Sequence, residues 1–90
     1  MSDVSERVRK RVEGDFPDPP TTDQVLRLIG QASDSERVQA AIVLWANGDL
    51  VRLQDSVALG RVDWRDVLVR SGLADDDWED RLNVEFGPGE

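Results

Sequence analysis

The chain has no cysteine, no histidine and no tyrosine. Without cysteine there is no disulfide framework and no thiolate zinc site. Without histidine the commonest general base is missing, and without tyrosine there is no phenol to donate or accept a proton. Long apolar runs are missing too. The longest, AAIVLWA at residues 40–46, falls far short of the roughly 20 residues that span a bilayer. The first residues, MSDVSERVRKRVEGDF, hold no apolar stretch of the kind found in secretory signals. A soluble, cytoplasmic chain is therefore expected. Positive charge is scarce: 11 basic residues stand against 19 acidic ones, giving a net charge of −8. Such a chain repels phosphate backbones and anionic membranes, so neither nucleic acid nor membrane is an expected partner.

What is present fits one small helical domain. Ninety residues with 39% hydrophobic content suffice for one modest core. Val4, Val8 and Val12 recur at a four-residue spacing and predict an N-terminal helix of about residues 3–13, locally basic through Arg7, Arg9, Lys10 and Arg11. The next segment, DFPDPP, with three prolines, reads as an extended connector. Residues 1–20 are thus expected to be a weakly attached helix, or an arm, with a proline-rich linker. Residues 21–85 are read as the helical domain and residues 86–90, FGPGE, as a flexible tail.

Within the domain, Thr21-x-x-Gln24 and Ser33-x-x-Glu36 have the capping-box pattern. Val25, Leu28, Ile29 and Ala32 form the stripe of one helix; Val38, Ala41, Ile42 and Trp45 form that of the next. Ala40, Val43 and Leu44 make the second helix apolar nearly all round, so it should be the most buried element, with Trp45 in the core. Asn47-Gly48 can stop a helix in the left-handed region or turn a β-hairpin. The upstream cap, the good helix formers and the downstream spacing of Leu50, Leu53 and Val57 favour helix–turn–helix. That helix is expected to end near Gly60. Asp63 should cap a short helix that Ser71-Gly72 stops, and Asp75 or Asp76 a last one holding Trp78 and Leu82. The sum is an all-α, compact bundle of four to five short helices with the N-terminal helix or arm appended.

The doubled figure Asp63-Trp64-Arg65-Asp66 and Asp77-Trp78-Glu79-Asp80 raises the question of a site. Carboxylates in a first helical turn accept orphan backbone N–H groups and face the positive end of the helix dipole, so both figures read as helix starts. A calcium-loop reading from Asp75 places Asp80 where glycine belongs and Phe86 where the bidentate acid belongs. No metal, cofactor or catalytic residue is assigned, although weak divalent binding by clustered carboxylates stays an alternative. No glycine-rich phosphate loop is present, and paired carboxylates with no cleft to split their acidities make no acid–base site. A non-enzyme is expected. Tryptophan beside arginine is favoured where proteins meet, which makes Trp64, Arg65, Trp78 and Arg81 the candidate interaction surface.

The stretch at residues 36–78, ERVQAAIVLWANGDLVRLQDSVALGRVDWRDVLVRSGLADDDW, resembles a group of short bacterial helical proteins. These share an ER-x-QAA opening, a GDL-x-RL turn, a DWRDVLV segment and a GLA-x-x-DW close. The resemblance implies a helical domain; with no established activity in that group, it carries over no site residue. Residues 1–30 lie outside it. The expected role is a protein-interaction or regulatory domain with a protein partner and the option of a homodimer. The alternative is an acidic mimic of nucleic acid that binds a basic partner.

Overall fold

A computed structural model describes residues 4–87. Among the described residues six helices succeed one another: α1 (Glu6–Asp15), α2 (Pro19–Ala32), α3 (Glu36–Ala46), α4 (Leu50–Val62), α5 (Trp64–Ser71) and α6 (Trp78–Phe86). There is no strand among the described residues. The chain is an all-α bundle, and Asn47-Gly48 joins two helices. Asn47 takes φ 49° and Gly48 φ 79°, which ends α3 in the left-handed region and turns the chain into α4.

α3 is the axis, packed against each of the other five helices. Its apolar sequence explains this, because Val38, Ala40, Ala41, Ile42, Val43 and Ala46 are all buried and only a central helix can bury residues around so much of its girth. The alanines let neighbouring helices approach closely. Trp45 departs from expectation: it is half-buried, with the Arg70 guanidinium 5.1 Å from its ring. It lies beside half-buried Leu44 at the helix edge. An indole is rarely enclosed completely, and its N–H is easily satisfied at a surface.

α1 is fastened more closely than three valines suggest. Its stripe runs on to Phe16, and Val4, Val8, Val12 and Phe16 are all buried in the common core. Polar links reinforce the seat. Buried Gln39 of α3 accepts from the Ser5 backbone N–H at 3.3 Å and donates to the Ser33 carbonyl at 2.9 Å. One side chain thereby ties the start of α1 to the end of α2. Of the two alternatives for residues 1–20, the described part takes the helix. Asp3 and residues 88–90, and with them most of the expected tail, lie outside the described residues. Phe86 is the last residue of α6 and packs partly buried against the core.

The helix boundaries correct several expected caps. Pro19 and Pro20 are the first two residues of α2 rather than part of a linker, since the first turn needs no amide donor and proline's φ already suits it. Asp18 is the N-cap, and Thr21 Oγ1 donates to its carboxylate at 3.1 Å. Thr22 Oγ1 donates to the Phe16 carbonyl and pins the turn. Ser33 ends α2, and Ser35 is the N-cap of α3. Asp77, not Asp75 or Asp76, precedes α6 and makes no capping bond. Other expected caps are in place. Asp49 accepts from Val51 and Arg52 N–H, and Asp63 from Asp66 N–H. Gly72, with φ 82°, stops α5, and the Leu73 N–H returns to the Leu68 carbonyl at 2.9 Å in the six-to-one bond of a glycine C-cap.

Candidate interaction surface

Two chain reversals lie side by side at one end of the bundle: α2 into α3, and α4 into α5. Between them is a cleft of about 220 Å³ lined by Ala32, Ser33, Ser35, Val38, Gly60 and Trp64. Four of the six lining residues are small, and Trp64 is the one large ring. α4 ends at Val62, close to the expected end near Gly60, and this glycine lies within its last turn. It is buried against α3 and α5: a Cβ there would stand 3.5 Å from Ile42 Cδ1 and 3.9 Å from Val67 Cγ2.

Trp64 is the first residue of α5, held there by the Asp63 cap, and is 48% exposed. The Arg65 guanidinium stands 5.3 Å from its ring, at cation–π distance. Val62, immediately before the cap, is 87% exposed, the most exposed large apolar side chain described. Asp34 lies between two lining serines and is exposed, as is Asp63. Of the cleft's lining residues Trp64 alone is aromatic; Val62, Asp34 and Asp63 lie between lining residues along the chain and are exposed.

The second candidate pair sits elsewhere. Trp78 opens α6 and is partly buried against the core, and the Arg37 guanidinium covers its ring at 4.9 Å. Arg37 is itself fixed by donating to the Leu73 carbonyl at 2.8 Å. Arg81 is exposed and lays its guanidinium against Gly72. Among the described residues, no hydrogen bond, ion pair or ring contact joins Trp64–Arg65 to Trp78–Arg81. The cleft walls Ala32, Ser33, Ser35, Val38 and Gly60 were not candidates from sequence, because small residues carry no chemical signal until two distant turns bring them together.

The strongest polar constellation centres on Arg7. Arg7 grips Glu36 through two parallel bonds, 2.9 Å from Nε and 2.6 Å from Nη2, the fork-to-fork geometry that arginine favours with carboxylates. Those hydrogen bonds hold the Glu36 carboxyl below its ordinary pKa against a partial cost of burial, and raise that of Arg7. From the same guanidinium, Nη1 donates to Asn83 Oδ1 at 2.7 Å and to the Gly87 carbonyl at 3.2 Å. Arg11 donates to the Glu85 carbonyl at 3.1 Å and lies 5.4 Å from the Phe86 ring. The basic first helix meets the C-terminal helix within one molecule.

The acidic run behaves differently. Asp75, Asp76, Asp77, Glu79 and Asp80 are exposed, and none forms an ion pair among the described residues. No group of three acidic side chains among the described residues is placed to hold a metal ion. No described helix is long and apolar enough to cross a membrane. Compared with known protein families, with curated proteins and with solved structures, the chain finds no match.

Proposed function

We propose that the chain is a small, acidic, non-catalytic protein-interaction domain of the bacterial cytoplasm, whose cleft between the two helix reversals receives an apolar side chain of a basic partner protein. The observation that carries this reading is Trp64, half exposed over an apolar-walled cleft and backed by Arg65. Aromatic and arginine side chains around a desolvated pocket are the composition of binding hot spots. The cleft lies below the ~300–1,000 Å³ usual for small-molecule sites, and a side chain suits it better. Exposed Asp34 and Asp63, chain neighbours of the lining residues Ser33, Ser35 and Trp64, and the net charge of −8 favour a basic segment and speed its approach.

A photo-reactive amino acid placed at position 62 tests the reading in cells. Crosslinks from this position to a basic protein, lost on Trp64→Ala and absent from the same probe at exposed position 84, are the expected result. Equal crosslinking from both positions, or none from position 62, overturns it. The unpaired acids at 75–80 favour a second reading, a nucleic-acid mimic. On that reading, affinity for a basic partner falls steeply with salt and does not depend on Trp64.

A further inference from the structure

We infer that α6 is a detachable strap, closed over α1 and α3 by arginine side chains and able to release while the rest of the bundle stays folded. Of its nine residues only Leu82 is fully buried, with Trp78 and Phe86 half-buried one turn to either side. Glu79, Asp80, Arg81, Asn83, Val84 and Glu85 are exposed. A helix this short does not sustain itself without tertiary contacts. Its start also lacks the side-chain cap that Asp49 and Asp63 give α4 and α5. The join before it, Ala74 to Asp77, is exposed throughout, which leaves the segment room to swing.

What holds α6 reaches it from elsewhere. Arg7 bonds Asn83 and the Gly87 carbonyl, Arg11 bonds the Glu85 carbonyl and covers Phe86, and Arg37 covers Trp78. The links that fasten α1 to α3 do not pass through α6. They are the Arg7–Glu36 pair, the Gln39 bridge and the buried valines of α1. When α6 leaves, Arg7 keeps Glu36 and the core keeps its centre. Segments with few buried apolar contacts open at lower free energy than the whole, and α6 is such a segment. Release uncovers the stripe Trp78, Leu82 and Phe86 along with the surfaces of α1 and α3 beneath it, while the closed state turns a mostly polar outer side to solvent.

Hydrogen exchange of the full chain under native conditions tests this. The hydrogen-bonded amides of residues 82–86 should exchange at least about ten-fold faster than those at the centre of α3, and as one group with a common opening. Asn83→Ala and, separately, Arg11→Ala should speed that group several-fold and leave the α3 amides unchanged. Asn83 is exposed, so its variant keeps the core intact. The inference is overturned if α6 amides exchange at the rate of α3. A graded loss of protection from the helix end, unmoved by either substitution, overturns it too, since that is simple fraying.

Discussion

Replacing Val12 by alanine tests whether the first helix belongs to the core. Val12 is 0% exposed, so the substitution removes buried carbon with no exposed alternative. At about 0.8 kcal/mol for each buried methylene equivalent, two such groups give about 1.6 kcal/mol. The cavity left behind raises the cost to about 2–3 kcal/mol. For a domain of this size each kcal/mol moves the midpoint by about 4–8 °C, which puts the Tm about 8–24 °C lower. Val84→Ala is the control: Val84 is 82% exposed, and its loss should change stability by less than about 0.5 kcal/mol. The three tryptophans, Trp45, Trp64 and Trp78, all lie outside α1. Urea unfolding followed by tryptophan fluorescence and by far-ultraviolet circular dichroism therefore reports on α1 and on the remainder in different proportions. The two transitions of Val12→Ala should coincide and shift together. A fluorescence midpoint unmoved by Val12→Ala would mean that α1 is an appendage and that the argument from burial fails.

Gly60→Ala should raise stability by about 0.5–1 kcal/mol through helix propensity, because its Cβ meets Ile42 Cδ1 at an ordinary 3.5 Å; a lower Tm refutes the fit. Asn47, at φ 49°, should accept glycine with no loss of stability, whereas Asn47→Val should cost about 1–2 kcal/mol in a thermal melt. Glu36 has its folded pKa lowered chiefly by the hydrogen bonds from Arg7, so its stabilisation is complete above the unfolded pKa and is lost as pH falls through and below about 4. Glu36→Gln should flatten that part of the stability–pH curve while leaving the slope above about pH 6 unchanged, as urea midpoints across the range would show. Wild type and variant losing stability in parallel on acidification would contradict the assignment.

The parts of this fold that are legible in the sequence are those decided within a few residues. Asp49 and Asp63 cap the helices they were expected to cap, and Asn47-Gly48 and Ser71-Gly72 stop the helices they were expected to stop. In each case one side chain or one left-handed residue meets a backbone group nearby. The all-round apolar character of residues 38–46 also predicts the central helix, because no surface position suits it. Contacts decided at a distance are not legible. Arg7 finds Glu36 across 29 positions and Asn83 across 76, and nothing local distinguishes it from Arg9, which is exposed. Pro19 and Pro20 resemble the end of a linker because their ring geometry serves a helix start and an extended segment equally well. Only the residues C-terminal to them, from Thr21 onward, decide between the two.

The candidate surface divides along the same line. Tryptophan next to arginine could be read directly, yet four guanidiniums stand over aromatic rings among the described residues, and the pairs do not share one role. Arg37 and Arg11 cover rings that close α6 onto the bundle, and Arg70 covers Trp45 at the edge of the central helix. Arg65 covers the one exposed tryptophan, which borders a cleft. Arg11 and Arg37 also donate to backbone carbonyls, those of Glu85 and Leu73, as Arg7 does to that of Gly87. With 19 acidic residues against 11 basic ones, many carboxylates lack a counter-ion, and much of the acidic excess faces solvent. Two recognition forces of different range result. The field of those acids reaches over a Debye length of about 10 Å at moderate salt, whereas Trp64 and its cleft act only on contact. A partner recognised by both should lose association rate as salt rises but dissociate faster only when Trp64 is removed. A partner whose dissociation rate is indifferent to Trp64→Ala would be held by charge alone, and the cleft would then have no part in the binding.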